Sequence, residues 1–350
     1  MTKPEIDMVD SLTRFIVSVP DLVRWKEWYH SKIPFVFITL FTVTLADSIP
    51  VDIALPRLVV LLIFCCSYLA FGYLINDFSD KKIDQAAGKI KAIQNFSDST
   101  ILSLLVILFI IGSAMALVSI SNTYLTILFL FVAYFFGFFY SMPPLRFKEK
   151  GVWGLVISSI TQRVIPILLL GDLLTEQKII FILFLLLFTL IGIRWILVHQ
   201  LIDLENDLNQ GVSTFVTKVG FPRTNILLRY VFFPLELICL GAILYLQIRM
   251  IPFFWIIPFL YGGVFVAKSL IWRGHGKPYL LDTFSRQPLE DFYYFYWPLG
   301  LAFLLTIHQP IYWIVLSLYI FWQSSFIIHQ VKVLRNLIIR KHNNAIIKYG

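Results

Sequence analysis

Residues 57–84 read RLVVLLIFCCSYLAFGYLINDFSDKKID, so an apolar stretch runs directly into a set of polar side chains. A helix needs about 20 consecutive apolar residues to cross the hydrocarbon core of a bilayer, and residues 57–76 supply that length. On a continuing helix the polar side chains fall within about 100° of one another. They are Asn76, Asp77, Asp80 and Asp84. The stretch therefore predicts a transmembrane helix that ends in an acidic cluster at one membrane face.

Ten apolar segments in all are candidates to span a membrane. They are residues 33–49, 57–76, 100–120, 123–141, 152–171, 178–198, 224–248, 252–272, 292–308 and 310–330. The predicted fold class is an all-α, polytopic transmembrane bundle that has nine core helices and a tenth helix. Because the ninth segment is short and its boundary at Pro310 is soft, nine spans plus an interfacial helix remain the alternative.

The distribution of basic residues predicts the orientation of the bundle. If the N-terminus is inside, the inner segments carry 22 of the 29 Lys and Arg residues and the outer segments carry three. This bias favours both termini in the cytoplasm. The expected location is a bacterial-type inner or plasma membrane. We expect one membrane domain over residues 1–350, with an amphipathic cytoplasmic segment (1–32), a transmembrane bundle (33–330) and a basic tail (331–350).

Composition excludes several other classes. The chain is 58% hydrophobic and only 14% charged, and its net charge of +8 comes from residues in the short gaps between apolar blocks. Such gaps are where membrane proteins place basic residues, so no nucleic-acid partner is expected. The three cysteines lie inside apolar stretches without ligand spacing and are predicted to be small core residues. No cleavable signal peptide is visible in residues 1–32.

A second polar cluster ends the sixth apolar segment. Asp203 and Asp207 are one helical turn apart, with His199 and Gln200 one turn earlier. Both clusters follow segments that exit on the predicted inner side, so they can face one cavity. Hard oxygen ligands suit Mg²⁺, which substrate phosphates normally complete, so the clusters are predicted to hold magnesium bridged by a diphosphate. The alternative is that these carboxylates are solvated charges at the membrane border.

Three motifs in this order resemble the UbiA superfamily of intramembrane prenyltransferases. Residues 76–84 match its NDxxDxxxD signature, residues 203–214 look like its second aspartate motif with the trailing Gly211 and Thr214, and residues 140–148 (YSMPPLRFK) are similar to its basic loop. Two positions depart from the family pattern. Residues 88–95 (GKIKAIQN) replace an Arg-Pro-rich segment, and His199-Gln200 stands where relatives carry other polar residues.

The resemblance implies a Mg²⁺-dependent transfer of an isoprenyl group from a prenyl diphosphate to a lipophilic acceptor, expected to be aromatic. The reaction is expected within membrane lipids, at a cytoplasmic-side cavity. The metal ligands it implies are Asn76, Asp77, Asp80, Asp84, Asp203 and Asp207. The catalytic residues it implies are Asp80, Asp84, Asp203 and Asp207. The residues that contact the diphosphate are expected to be Asn76, Tyr140, Arg146 and Lys148.

Several alternatives stay open on the sequence. The same fold supports a terpene cyclase, in which an internal alkene captures the carbocation, and acidic clusters also line transporters. Arg146 and Lys148 have an alternative role as simple anchors of the positive inner side. Solvated or headgroup-bound charges are the expectation for the remaining basic residues near the first motif, which are Lys81, Lys82, Lys89 and Lys91. The acceptor and the prenyl chain length are not predicted.

Overall fold

The computed structural model describes residues 18–86, 88–120, 122–170, 178–209, 211–273 and 289–328, with residues 331, 332 and 335. Regular structure in these ranges is helical throughout, which confirms the predicted all-α class. The helices are α1 (Trp25–Trp28), α2 (Ile33–Ala46), α3 (Val51–Ala86), α4 (Asp98–Ser119), α5 (Thr123–Phe139), α6 (Val152–Leu168), α7 (Lys178–Ile202), α8 (Leu204–Asn209), α9 (Phe215–Val219), α10 (Phe221–Met250), α11 (Ile256–Arg273), α12 (Trp297–His308) and α13 (Trp313–Trp322).

Four of these helices, α3, α4, α7 and α10, are long and apolar enough to cross a membrane. Shorter apolar helices occupy other predicted spans, including α2, α5 and α6. Each of the ten predicted segments contains a described helix, but how many of them cross the bilayer stays a prediction. Three helices contain or follow a π-helical turn, at Ile160–Val164 in α6, Leu228–Phe232 in α10 and Phe292–Tyr296 before α12.

The chain divides into two compact units. Unit 1 comprises Met1–Ile33, Pro56–Asp172 and Phe188–Leu228, and unit 2 comprises Pro34–Leu55, Leu173–Leu187 and Arg229–Gly350. The expectation of a single membrane domain stays a prediction. Both acidic clusters and the basic loop lie in unit 1.

Aromatic packing and close helix contacts form the interior of unit 1. Phe64 and Tyr68 of α3 stack with ring centroids 5.5 Å apart, and the Tyr68 hydroxyl donates to the Ala133 carbonyl of α5 at 3.2 Å. Gly192 of α7 lies against Ser159 of α6, where an added Cβ would come within 2.7 Å of the serine Cβ. These contacts fix α3 against α5 and α6 against α7, and these four helices carry the site.

Unit 2 contains a buried hydrogen-bonded network. Gln247 donates to the Thr42 hydroxyl at 2.6 Å and accepts from the Trp297 indole at 3.1 Å. Glu236, fully buried within α10, accepts from the Tyr293 hydroxyl at 2.8 Å. Buried polar groups of this kind need partners, so these bonds satisfy the polar atoms of a largely apolar interior.

Some predicted features fall partly outside the described residues. Of the amphipathic segment 1–32, the part from residue 18 onward buries Leu22 and Trp28 inside unit 1, and its contact with the membrane surface stays a prediction. Residues 274–288 and most of the basic tail 331–350 lie outside the described residues.

Candidate active site

Helix α3 carries the first acidic cluster on its last two turns. The helix continues without interruption from Val51 to Ala86, so the polar residues share one helical face as predicted from their spacing. The side chains of Asp77 and Asp84 are 5% and 8% exposed, and that of Asp80, between them, is 20% exposed. Carboxylates this buried need strong partners, because leaving the charge uncompensated is costly.

The basic loop after α5 binds Asp80. Arg146 places Nη2 at 2.9 Å from Asp80 Oδ1, and Lys148 places Nζ at 2.6 Å from Oδ1 and 2.5 Å from Oδ2. Burial lowers the pKa of Lys148, although the Asp80 charge opposes this shift. Arg146 also pairs with Glu149 at 2.5 Å, so two cations and two carboxylates balance one another beside α3.

Short hydrogen bonds attach this loop to α3. The Ser141 hydroxyl donates to Asn76 Oδ1 at 2.7 Å, and the Ser79 hydroxyl donates to the Ser141 carbonyl at 2.8 Å. Within the loop, the Lys148 N–H donates to the Tyr140 carbonyl at 3.0 Å. Asn76 and Tyr140 thus take part in positioning the basic residues, and their predicted contact with a diphosphate stays a prediction.

A second pair of cations binds the other two aspartates of the motif. Lys91 Nζ lies 2.7 Å from both Asp77 Oδ1 and Asp84 Oδ2, so one ammonium bridges two carboxylates. Arg24 adds a longer contact, with Nη1 at 3.4 Å from Asp77 Oδ1. Burial alone would lower the pKa of Lys91, but its hydrogen bonds to the two carboxylates outweigh burial and raise it.

The segment that carries Lys91 is held by its own contacts. Ile93 is 1% exposed and anchors the short 3₁₀ helix Ala92–Asn95 in unit 1. At its end, Lys81 of α3 donates to the Phe96 carbonyl at 3.0 Å and pairs with Asp98 at 2.7 Å. The Lys89 N–H donates to the Asp84 carbonyl at 2.9 Å, which starts the segment close to the acidic cluster.

The second acidic cluster forms where α7 meets α8. The chain bends at Asp203, yet its N–H still donates to the His199 carbonyl at 3.0 Å and the Asp207 N–H to the Asp203 carbonyl at 2.9 Å, so the predicted one-turn spacing holds. His199 Nδ1 lies 2.9 Å from Asp203 Oδ2. Burial and the Asp203 charge raise the pKa of Asp207, while the His199 and Lys89 charges and a hydrogen bond from Thr214 oppose the shift.

Lys89 relates the two clusters within unit 1. Its Nζ lies 3.8 Å from Asp84 Oδ1, and its charge lowers the pKa of Asp207. Lys89 thus acts on a carboxylate of each cluster, and a shared cavity for the two clusters stays a prediction.

Two of the residues that hold this site were not predicted. Lys91 was expected to be a solvated or headgroup-bound charge, but it bridges Asp77 and Asp84, which corrects that expectation. Lys81 is also paired, with Asp98. Arg24 belongs to a segment expected on the membrane surface and contacts Asp77 instead. The sequence places Lys91 seven residues after Asp84, so a loop that turns back towards α3 can bring the two side chains together. No feature of the sequence indicates the contact of Arg24 with Asp77.

The donor set fits a metal that a substrate completes. Among the residues that the structure describes, no three acidic or histidine side chains converge closely enough to hold an ion by themselves. Mg²⁺ commonly binds to one or two carboxylates together with waters and substrate phosphates, and seldom to a site built of protein ligands alone. Separated aspartates on one helical face therefore suit this ion. Asp77, Asp80 and Asp84 are the residues of α3 that can hold it.

Comparisons with known proteins bear on the family and the fold of the chain. The model of the UbiA prenyltransferase family matches residues 35–279. Among solved structures, a UbiA homologue from Archaeoglobus fulgidus bound to DMAPP and Mg²⁺ is 15% identical, with a TM-score of 0.57 over 83% of this chain and 98% of that one. The same homologue bound to GPP and Mg²⁺ is 15% identical, with a TM-score of 0.56 over 86% and 99% of the two chains.

A structure of digeranylgeranylglyceryl phosphate synthase is 16% identical, with a TM-score of 0.54 over 82% of this chain and 98% of that one. No curated protein matches the sequence. At these identities the structural likeness shows the fold, whereas the family match covers well over half of the sequence. The chain belongs to the UbiA prenyltransferase family.

Proposed function

We propose that this protein is a Mg²⁺-dependent intramembrane prenyltransferase that moves an isoprenyl group from a prenyl diphosphate to a lipophilic acceptor and releases diphosphate. Family membership and four long apolar helices support the membrane enzyme. The observation that carries the proposal is the charge arrangement on α3. Three aspartates there are each held by Lys or Arg side chains, which puts carboxylates for a metal and cations for phosphate oxygens at one place.

The carboxylates and the basic residues of the site have different proposed roles. Ionisation of an allylic diphosphate leaves a carbocation and a highly charged leaving group, and preorganised cations favour that charge separation. Magnesium, when bound, would supply further positive charge to the diphosphate oxygens. Asp77, Asp80 and Asp84, with Asn76 and with Asp203 and Asp207 from the second cluster, are proposed to hold the metal. Arg146, Lys148 and Lys91 are proposed to turn from the carboxylates to the diphosphate.

The two alternatives are a terpene cyclase and a transporter. A terpene cyclase of the same fold would use the same diphosphate chemistry and differ only in what captures the carbocation. Acidic side chains along a path through the membrane would indicate a transporter. Glu236 is a buried carboxylate within an apolar helix, but it is hydrogen-bonded to Tyr293, and the aspartates gather at the ends of α3 and α7. These observations favour an enzyme.

The proposal is tested by incubating the purified full chain with Mg²⁺ and prenyl diphosphates of several lengths, with and without lipophilic acceptors, and identifying lipid-extracted products by mass spectrometry. We expect magnesium-dependent diphosphate release and a prenylated acceptor. Product that forms equally without any acceptor would instead identify a cyclase. If no prenyl diphosphate is consumed under any of these conditions, the proposal fails.

Gly154 gives a test of the basic loop. A Cβ added there would lie 2.9 Å from the Phe147 carbonyl oxygen and 3.0 Å from that of Lys148, so the backbone that presents Lys148 would have to move. We expect Gly154→Ala to lower turnover several-fold and stability by about 1–3 kcal/mol. The checks are steady-state kinetics and thermal unfolding.

Gly72 provides the matched control for this substitution. It lies on α3 near the site, and an added Cβ there meets no atom within 4 Å. Gly72→Ala should leave turnover unchanged and slightly favour the helix. Equal effects of the two substitutions would show that the close approach at Gly154 does not position the loop.

A further inference from the structure

A small cavity lies within unit 2, where two helices end. The last turn of α2 and residues 48–49 form one side of it, and the end of α12 and the 3₁₀ helix Pro310–Tyr312 form the other. The cavity measures about 200 Å³ including its opening. Sites for drug-sized molecules are larger, at roughly 300–1,000 Å³, so this cavity suits a small polar group.

Two buried hydroxyl groups line this cavity. Thr44 of α2 and Tyr312 are each 3% exposed. Neither hydroxyl has a hydrogen-bond partner among the residues that the structure describes. Burying a hydroxyl without a partner is costly, so two such groups at one cavity indicate a polar ligand. Each of the two oxygens can accept a hydrogen bond from it.

The charges around the two hydroxyls favour a cation. Helices α2 and α12 both end at the cavity, and the C-terminus of a helix carries a partial negative charge. The Asp52 carboxylate, in the first turn of α3, acts electrostatically on the Tyr312 hydroxyl. None of the described residues that line the cavity is a lysine or an arginine. These charges attract a positive group and repel an anion.

An ammonium group fits these acceptors better than a metal ion does. In the described part of the chain, no three histidine, cysteine or acidic side chains converge closely enough to hold a metal. Ca²⁺ and Mg²⁺ need about six or more oxygen ligands. A primary ammonium has only three N–H donors to satisfy, and Thr44 and Tyr312 supply acceptors for two of them.

The rim of the cavity has the features of a lipid contact. His308 is exposed and Gln309 is half-buried, and both side chains can donate hydrogen bonds to a phosphate. Next to them in the chain, Ile307, Ile311 and Trp313 are 61%, 50% and 58% exposed. Exposed apolar side chains at the ends of apolar helices face lipid chains, and Trp is enriched at the border between membrane and water.

We propose that this cavity binds the headgroup of a phospholipid that carries a primary ammonium group. The ammonium lies against the hydroxyls of Thr44 and Tyr312, and the phosphate lies at the rim. The acyl chains follow the exposed apolar residues beside the rim. Asp52 and Asp77 are 25 residues apart on α3, which is about 37 Å along a helix, so the inference does not depend on the proposed prenyl transfer.

The proposal predicts selectivity for the headgroup. Phosphatidylcholine has the same phosphate and chains, but its quaternary ammonium has no N–H to donate to the two hydroxyls. Phosphatidylglycerol has the phosphate without any cation. Both lipids leave the buried hydroxyls without a charged partner, so both should bind more weakly than phosphatidylethanolamine.

The test measures lipid binding to the delipidated full chain in detergent. Thermal unfolding is followed while dioleoyl phosphatidylethanolamine, phosphatidylcholine or phosphatidylglycerol is added, and native mass spectrometry counts the bound lipids. We expect phosphatidylethanolamine to raise the Tm at concentrations at least about 10-fold lower than the other two lipids, since hydrogen bonds to a charged group contribute that order of affinity.

Thr44→Val and Tyr312→Phe remove the two hydroxyls and nearly keep the shapes of the side chains. The double variant should lose the preference for phosphatidylethanolamine. Without lipid it should be at least as stable as the wild type, because no hydroxyl is then buried without a partner. Thr306→Val is the matched control, since its hydroxyl donates to the Ala302 carbonyl within α12 and does not line the cavity. The preference should persist in it.

Asp52→Asn serves as a second variant should the double variant fold poorly. Asp52 is exposed, and loss of its charge should weaken phosphatidylethanolamine binding several-fold. A preference that persists in both variants would overturn the proposal, as would equal responses to the three lipids or an equal loss in Thr306→Val. Free ethanolamine that binds as tightly as the lipid would assign the cavity to a soluble amine instead. No response to any lipid would leave a cavity for water alone and would also overturn it.

Discussion

Replacing Asp80 with asparagine is expected to lower prenyl-transfer turnover by about 100-fold or more, a loss typical of removing one preorganised charge from a site of this kind. The Asp80 carboxylate contacts both Arg146 and Lys148 and lies between Asp77 and Asp84 on one helical face. An amide offers one weaker oxygen to a metal and cannot balance two cations. Turnover is measured as magnesium-dependent consumption of a prenyl diphosphate at saturating concentrations.

Asp98 supplies the matched control. Its carboxylate pairs with Lys81 at 2.7 Å, lies in the first turn of α4 and contacts none of the motif residues. Asp98→Asn should leave turnover close to that of the wild type, since exposed ion pairs contribute little. Full turnover in a folded Asp80→Asn protein would refute the role of this aspartate. A thermal unfolding curve for each variant separates a loss of chemistry from a loss of fold.

The parts of this site that the sequence predicted are those fixed by local geometry. Asn76, Asp77, Asp80 and Asp84 share a face because α3 continues through them, and helical periodicity alone dictates that result. The spacing of Asp203 and Asp207 survives a bend because the backbone hydrogen bonds continue across it. The ten apolar segments likewise match described helices, since apolar length is a strong signal for membrane-type helices.

The parts that were missed depend on tertiary packing. Residues 88–95 departed from the family pattern, and their lysines looked like surface charges. This segment packs against α3 because Ile93 is buried and Lys81 donates to the Phe96 carbonyl. Lys91 therefore lies beside Asp77 and Asp84. Arg24 lies 53 residues before Asp77, and no local pattern predicts a contact over that separation.

The cations of unit 1 that lie near the first acidic cluster share one property that matters for mechanism. Those beside Asp77, Asp80 and Asp84 are paired with carboxylates, so they are available to a diphosphate only after the carboxylates have taken another cation. We therefore expect the donor and the metal to bind cooperatively.

Lys91 provides the sharpest test of this exchange. Its ammonium bridges Asp77 and Asp84 at 2.7 Å each, where a divalent cation would compete for the same oxygens. Lys91→Gln should tighten Mn²⁺ binding in the absence of diphosphate by about 10-fold, because an ammonium this close changes the affinity of a carboxylate for other cations by that order. The KM for the prenyl diphosphate should rise in the same variant, because one phosphate-binding cation is lost.

Electron paramagnetic resonance of free Mn²⁺ during titration of the substrate-free protein measures the first effect, and steady-state kinetics measure the second. Lys81→Gln removes the same charge from a lysine that pairs with Asp98 instead of the motif aspartates, and both quantities should stay unchanged in it. If Mn²⁺ binds more weakly to the Lys91→Gln protein, then Lys91 gathers the carboxylates for the metal instead of competing with it. The donor and the metal would then bind without exchange, and Asp77 and Asp84 would need Lys91 in place to act together.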